Sequence, residues 1–160
     1  MELKQVEISV PEGYQLILGQ SHFIKTVEDL YEALATAAPE IKFGVAFCES
    51  SGKALIRHDG TDEGAAKLAI ECASRLSCGH AFVVFLRGAF PINVLDRIKS
   101  VEEVVNLYCA TANKVTVIVA EAGDGRGILG VIDGVKSKGV ETADDREERT
   151  QFLRKIGYKR

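Results

Sequence analysis

The spacing of hydrophobic residues changes several times along the chain, and each change predicts a new element. Residues 3–10 and 14–20 are short and rich in β-branched residues or leucine, with Pro11-Glu12-Gly13 between them. This pattern predicts two strands joined by a turn. After them the apolar residues recur at helical spacing, and Thr26 followed by Asp29 predicts a capping box at the helix start.

The segment IKFGVAFCE predicts a strand with one bulky face and one small face. A helix or a ligand could approach the small face closely. A second strand, ALIRHD, follows a turn, and Thr61 is expected to cap a helix that ends near Gly79. The bulky positions Ile41, Phe43, Val45 and Phe47 alternate with Lys42, Gly44, Ala46 and Cys48.

The run HAFVVFLR is apolar throughout, which is typical of a central strand covered on both faces. Pro91 favours a helix start, and Ser100-Val101-Glu102-Glu103 resembles a second capping box. We therefore expect 91–111 to be helical, with a kink or break near Ser100. KVTVIVAE and GILGVIDG predict two more strands, and a final surface helix should run from Thr142 to near Gly157.

This order of elements, ββα, ββα, βα, ββα, predicts an α/β sandwich with a mixed sheet and helices on its faces. The chain has 160 residues and no internal linker or repeat. A chain of this length is expected to form one domain, residues 1–160.

Charge and cysteine content limit the classes of function. Lys and Arg number 20 against 23 Asp and Glu, so the net charge of −3 predicts neither a nucleic-acid partner nor an anionic membrane surface. No apolar run approaches the roughly 18 residues of a membrane span, and we expect a cytoplasmic protein. The four cysteines form no CxxC pair, which favours reduced, buried thiols over disulfides or zinc.

Several familiar motifs are absent or lack the required context. Residues 125–130 match GxGxxG, but β-branched residues follow where a dinucleotide site needs a helix, so a hairpin is expected. No P-loop sequence occurs, and neither GQSHF nor ESSGK fits a nucleophile elbow. The three histidines are too far apart for a helical metal pair, and no metal ligands are assigned. A bound Mg²⁺ would suit phosphate chemistry, although no motif requires it.

The segment GQSHFIKT, residues 19–26, is the strongest candidate for a chemical site. A helix that starts at Thr26 offers unpaired backbone N–H groups and a partial positive charge. Lys25 adds a full charge, and Ser21 and Thr26 add hydroxyl groups. His22 would project into this anion site as a nucleophile or proton acceptor. The alternative is a capped loop whose histidine only packs.

Further polar residues lie at the ends of predicted elements, where α/β folds often build ligand sites. His80 begins the central strand and could approach the same region as residues 19–26. The other residues are Asn93, Asn113, Glu121 and Arg126. Each of these four, taken alone, is more often a cap or turn residue than a ligand-binding residue.

Long blocks of the chain resemble the adenosine-specific kinase family of archaea and thermophilic bacteria, formerly a domain of unknown function. The resemblance covers nearly the whole chain, although the family usually has asparagine at Asp96 and proline at Lys114. The blocks are GQSHFIKTVEDLYEAL, KFGVAFCESSG, PINVLDRIKSVEEV, ATANKVTVIVAE, GRGILGVIDG and LRKIGYK.

The resemblance implies a three-layer α-β-α sandwich that forms a trimer and binds adenosine and AMP in preference to ADP and ATP. It also implies a histidine that carries a phosphoryl group. The matching GQSHFIKT block assigns this role to His22, with His80 in reserve. Lys25 and the helix N-terminus would neutralise the phosphate. Since nucleoside sites are apolar with a few polar contacts, we expect the adenine in a slot formed from the small face at Gly44 and Ala46, Glu49 and the polar residues at the element ends.

These observations lead to three hypotheses. In the first, His22 transfers a phosphoryl group to or from the 5′ hydroxyl of adenosine. In the second, the protein is an adenosine or AMP sensor without turnover, which the absence of a triphosphate cradle and of a clear general base favours. In the third, it is a structural trimer whose pocket is incidental. Neither the phosphoryl donor nor a metal requirement follows from the sequence.

Overall fold

Twelve secondary-structure elements follow one another in the order ββα, ββα, βα, βββα. The computed structural model describes all 160 residues. The strands and helices are β1 (Glu2–Ile8), β2 (Gln15–Ser21), α1 (Thr26–Ala35), β3 (Lys42–Cys48), β4 (Ile56–Gly60), α2 (Glu63–Leu76), β5 (Ala81–Arg87), α3 (Pro91–Lys99), β6 (Val104–Thr111), β7 (Val115–Ala122), β8 (Gly125–Asp133) and α4 (Ala143–Lys155).

The strands form two sheets. One has five strands in the order β4-β3-β5-β2-β6, and the other has three in the order β1-β7-β8. The predicted α/β sandwich is confirmed, but every pairing is antiparallel, so neither sheet is mixed. The crossover through α1 does make β2 and β3 run in the same direction. Strand β5 lies between them and is antiparallel to both, as its predicted central position requires.

Two hydrophobic clusters cover the faces of the five-stranded sheet. Helices α1 and α3 pack on one face, against the bulky side chains Phe43, Val45 and Phe47 of β3. Helix α2 and the three-stranded sheet share the opposite face, where Leu16 and Leu18 of β2 are buried. The molecule therefore has three layers, with the small sheet lying in the same layer as α2.

The small face of β3 is occupied by a helix. A Cβ atom added at Gly44 would lie 2.2 Å from the backbone nitrogen of Ala66 in α2, and Ala46 is fully buried in the same cluster. The expected adenine slot at Gly44 and Ala46 is therefore wrong. The small side chains there allow the backbones of α2 and β3 to approach each other.

Two helix starts differ from the predicted capping. Helix α1 has Lys25 at its N-cap position without a side-chain cap, because the Thr26 hydroxyl is buried and donates to the carbonyl of Phe23. Helix α2 is capped by Asp62, which accepts the N–H of Ala65 at 2.9 Å, rather than by Thr61. Both predicted helices are present. The corrections concern only which residue occupies the N-cap position and whether its side chain caps the helix.

The expected helix over 91–111 ends much earlier. Helix α3 stops at Lys99, and Val104–Thr111 forms strand β6 at the edge of the large sheet. Ser100 is the C-cap of α3, and residues 101–111 contain no helix. The pairing of β6 with β2 therefore outweighs the local resemblance to a capping box.

Other predictions are confirmed. The GxGxxG residues lie in β8, which forms a hairpin with β7. All four cysteines are free thiols, and burial raises the pKa of Cys72 to about 12. Thr142 caps α4 together with Asp145, and this helix has no buried residue. None of the four helices has the length and apolar character needed to cross a bilayer.

The close contact at Gly44 generates a prediction about stability. Gly44→Ala should destabilise the protein by about 1–3 kcal/mol, because the added methyl group forces the backbones of α2 and β3 apart. Gly130→Ala is the matched control, since nothing lies within 4 Å of its added Cβ, and it should change stability by less than about 0.5 kcal/mol. Equilibrium denaturation of both variants measures the difference, and equal stabilities would contradict this account of the small face.

Candidate functional site

The candidate site lies at one end of the five-stranded sheet, where β2 ends and β5 begins. The N–H of Ser21 donates to the carbonyl of His80 at 3.0 Å, and the N–H of His22 donates to the carbonyl of Glu103 at 2.8 Å. Helix α1 begins at Thr26, four residues after His22. The backbone therefore brings together the end of β2, the start of β5 and the loop before β6.

Two histidine side chains meet at this end. The ring centroids of His22 and His80 are 6.5 Å apart, and the ring planes are nearly perpendicular at 81°. His22 is exposed, whereas His80 is half-buried and stacks on Phe47 with centroids 5.9 Å apart and planes at 20°. No hydrogen bond joins the two rings, so a ligand group could contact both.

The loop after His22 carries unused backbone donors. The N–H groups of Phe23, Ile24 and Lys25 donate to no protein group. The hydroxyl oxygens of Ser21 and Thr26 lie only 2.8 Å apart and both residues are buried, so these hydroxyls bond within the protein. The donors available for an anion are therefore mainly backbone N–H groups rather than the hydroxyls expected from the sequence.

Lys25 is engaged by three carboxylates. Its ammonium lies 2.7 Å from Asp29, 2.7 Å from Glu102 and 3.5 Å from Glu103. Hydrogen bonds to Asp29 and then to Glu102 raise the pKa of Lys25. The ammonium would have to leave these partners to contact a phosphate directly, and in this geometry it neutralises the carboxylates beside the loop.

Glu103 is an unusual member of this cluster because its side chain is only 2% exposed. Neither of its carboxyl oxygens has a hydrogen-bond partner. Burial is the main cause of its raised pKa, and the neighbouring Asp29 raises it further. The pKa of Asp29 is lowered, mainly by its hydrogen bond from Lys25. A proton is therefore held more readily on Glu103 than on Asp29.

Two small pockets lie at this end of the sheet, and neither His22 nor His80 lines them. The first, which we call the β3–β4 pocket, has a volume of about 260 Å³, and its lining includes Glu49, Gly79 and Arg126. The second, the α1–β4 pocket, has a volume of about 360 Å³ and is lined in part by Ile24 and Arg57. Gly79 directly precedes His80, and Ile24 lies two residues after His22.

An ion pair separates these pockets. Arg57 donates to Glu49 at 3.1 Å, and hydrogen bonds from the N–H of Leu55 and then from Arg57 lower the pKa of the Glu49 carboxyl. The Nε atom of Arg57 is buried and has no partner. A buried donor without a partner is unusual, and Arg57 also lines the adjacent α1–β4 pocket.

Arg126 and Glu121 have structural partners near the β3–β4 pocket. Arg126 donates to Glu121 at 2.8 Å and to the carbonyls of Arg75 and Leu76 at 3.1 and 3.0 Å, so it caps the C-terminus of α2. Glu121 also accepts a hydrogen bond from Lys4 at 2.9 Å. Of the two, only Arg126 lines the pocket.

Asn93 and Asn113 lie at the opposite end of the sheet. Asn93 accepts the N–H of Phe90 at 2.8 Å and caps α3, while Asn113 donates to Asp133 at 2.9 Å. At about 3.3 Å per residue, β2 separates the two ends by roughly 20 Å. Within one chain, these asparagines therefore cannot contact a group held between His22 and His80. Asn113 lines a separate cleft of about 820 Å³ together with aromatic residues of α4 and its C-terminal extension.

Sequence reasoning missed three residues at this site. In the sequence pattern Phe47 is a bulky strand position, Arg57 belongs to a second strand, and Glu103 belongs to a capping box. Arg57 carried a weak signal, because a charged residue at a half-buried strand position needs a partner. Glu103 carried none, since its burial depends on α1 and β6 meeting.

No group of three or more histidine, cysteine, aspartate or glutamate side chains is arranged to hold a metal ion. The three carboxylates around Lys25 already have a cation among them. We therefore assign no residue of the site to Mg²⁺ binding.

Comparison with known proteins supports a relationship over the whole chain. A family model described as adenosine specific kinase matches residues 6–159. The chain belongs to the adenosine-specific kinase family. The crystal structure of the PH1918 protein from Pyrococcus horikoshii OT3 is 41% identical, covers 99% of both chains and superposes with a TM-score of 0.92. No curated protein matches the sequence. Membership of the adenosine-specific kinase family agrees with the resemblance noted in the sequence.

The buried carboxyl of Glu103 generates a pH-dependent prediction. A raised pKa makes the folded state bind a proton more tightly than the unfolded state, so the group costs stability as pH rises from about 4.5 through its folded pKa. Glu103→Gln removes this ionisation and keeps a side chain of nearly the same size and shape. The melting temperature of Glu103→Gln minus that of the wild type should therefore increase as pH rises from 4 to 8.

Glu102→Gln is the matched control, because it removes an exposed carboxylate from the same lysine. Thermal denaturation of the three proteins across this pH range measures both differences. A melting-temperature difference between Glu103→Gln and wild type that stays constant with pH would show that Glu103 does not hold its proton in the folded state.

Proposed function

We propose that the protein is an adenosine kinase in which His22 carries the phosphoryl group between an unidentified donor and the 5′ hydroxyl of adenosine. The observation that carries this proposal is the position of His22, which directly precedes the unused N–H groups of Phe23, Ile24 and Lys25. Backbone donors of this kind stabilise a phosphoryl group without adding a competing reactive side chain. Family membership independently supports an adenosine-related activity.

His22 suits the phosphoryl carrier better than His80 for reasons of access and charge. His22 is exposed, so a donor molecule can reach its ring. His80 is half-buried against Phe47, where a phosphoryl dianion would lose more hydration. Lys25 contributes by balancing the carboxylates of Asp29 and Glu102, which would otherwise repel the phosphate.

The nucleoside is proposed to occupy the β3–β4 and α1–β4 pockets on either side of the Glu49–Arg57 ion pair. Each pocket is lined by a residue close in sequence to one of the two histidines: Gly79 precedes His80, and Ile24 follows His22 by two positions. Ile56 lines both pockets. Glu49 can accept hydrogen bonds from ribose hydroxyls or an adenine amino group, and Arg57 Nε can donate one. Arg126 closes the far side of the β3–β4 pocket.

A sensor that binds adenosine or AMP without turnover is the second candidate. The engagement of Lys25 by carboxylates favours it, because little positive charge is left for a transferring phosphate. Assembly as a trimer and participation of Mg²⁺ also belong to the proposal, and the assay below is run with and without Mg²⁺.

The kinase proposal predicts that His22→Ala abolishes AMP formation and loses the phosphoryl adduct. The protein is incubated with adenosine and candidate donors, with and without Mg²⁺, while AMP is quantified and the adduct is followed by intact mass. Gln151→Ala is the control, because Gln151 is exposed on α4 and lines neither of the two pockets. AMP formation that survives in His22→Ala would contradict the kinase proposal, and tight binding without AMP would support the sensor.

The placement of the nucleoside predicts that Arg57→Lys weakens adenosine binding about tenfold, since lysine keeps the charge but lacks the Nε donor. Adenosine should raise the melting temperature of the wild type by mass action, and the rise should be smaller in Arg57→Lys. Arg97→Lys is the control, because Arg97 is exposed on α3 and bonds only to Thr36. Equal adenosine affinity in Arg57→Lys and wild type would place the nucleoside elsewhere.

A further inference from the structure

His80 has an unusual backbone conformation. Its φ angle is +64°, in the left-handed region that residues other than glycine and asparagine rarely adopt. This conformation costs of order 1–3 kcal/mol and persists only where surrounding contacts enforce it. A residue that serves only to start strand β5 would not need it, since glycine would fit at lower cost.

Three contacts hold His80 in this conformation. Its N–H donates to the carbonyl of Cys48 at 2.8 Å, and its carbonyl accepts the N–H of Ser21 at 3.0 Å. Its ring stacks on Phe47, a side chain that is 1% exposed. The backbone is thus held from both neighbouring strands, and the ring rests on a rigid surface.

The result is an imidazole held beside the proposed phosphoryl carrier, His22. The rings of His80 and His22 are 6.5 Å apart and nearly perpendicular, without a hydrogen bond between them. This separation leaves room for a hydroxyl group that approaches a phosphoryl group on His22. General bases act from such positions, within hydrogen-bond reach of the proton that they remove.

We propose that His80 is the general base of the transfer and takes the proton of the 5′ hydroxyl of adenosine. This inference rests on the proposed function of His22 and adds a second catalytic residue to it. No carboxylate is better placed, because Glu49 is paired with Arg57, Asp29 is paired with Lys25, and the Glu103 side chain is only 2% exposed.

The step balances as follows. The bond between O5′ and phosphorus forms, and the bond between phosphorus and the His22 nitrogen breaks. The second ring nitrogen of phosphorylated His22 carries a proton, so His22 leaves as neutral imidazole. The hydroxyl proton moves to His80, which becomes cationic and then releases the proton to water. In the reverse direction, His80 donates a proton to the departing O5′.

The test separates formation of the adduct from its transfer. Wild type, His80→Asn and His80→Gly are phosphorylated with phosphoramidate and freed of reagent, and the adduct is located by tandem mass spectrometry. Adenosine is then added, and AMP is measured in a single turnover between pH 6 and 9. Asparagine and glycine both tolerate the left-handed backbone, so these variants are expected to fold.

We expect both variants to keep the adduct on His22 and to transfer it about 10²–10⁴-fold more slowly than wild type. The wild-type transfer rate should fall towards acid pH, and this fall should disappear in the variants. Free imidazole should restore part of the rate in His80→Gly, an effect that a purely structural role of His80 would not produce. Gln151→Asn, at an exposed position on α4 away from both pockets, is the control and should behave as wild type.

Transfer within threefold of wild type in both variants, with the adduct on His22, would overturn the role of His80 and leave the kinase proposal standing. An adduct located on His80 would overturn the assignment of both histidines. Absence of any adduct and of any AMP in the wild type would overturn the kinase proposal together with this inference.

Discussion

Strand β5 is hydrogen-bonded along both edges and covered on both faces, and the arrangement of the molecule depends on it. Residues 81–86 are all buried, and they pair with β2 on one side and β3 on the other. Because β5 is antiparallel to both neighbours, its first residue lies at the same end of the sheet as their last residues. His80 therefore meets Ser21 and Cys48 through the main chain. The two histidines come together because of this strand pairing, although 58 positions separate them in sequence.

The electrostatic character of the site differs from a simple basic pocket. Lys25 is held by carboxylates, and one of these, Glu103, is buried with both oxygens unpaired. A phosphoryl group on His22 would depend on neutral backbone donors for hydrogen bonds and on Lys25 for charge balance with Asp29.

The two ends of the large sheet offer different surfaces. The histidine end has small pockets around the Glu49–Arg57 ion pair, while the other end has the larger cleft beside Asn113. Cleft size alone would place a nucleoside at the second end. The roughly 20 Å length of β2 separates that cleft from His22 of the same chain, so geometry favours the smaller pockets for a molecule that must react with His22.

The sequence by itself determined the elements with strong local signals and the histidine loop. Alternation along β3, the apolar run of β5 and the glycine-rich hairpin were read correctly, because side-chain period and turn residues act over a few positions. Only tertiary structure decided that Val104–Thr111 is a strand, that α2 occupies the small face at Gly44, and that carboxylates engage Lys25. Each of these depends on contacts between segments far apart in the chain, which local propensity cannot specify. The same reason explains why the sequence offered an approach of His80 to residues 19–26 only as one alternative, while the 6.5 Å separation of the rings and the unpaired Nε of Arg57 depend on the tertiary structure.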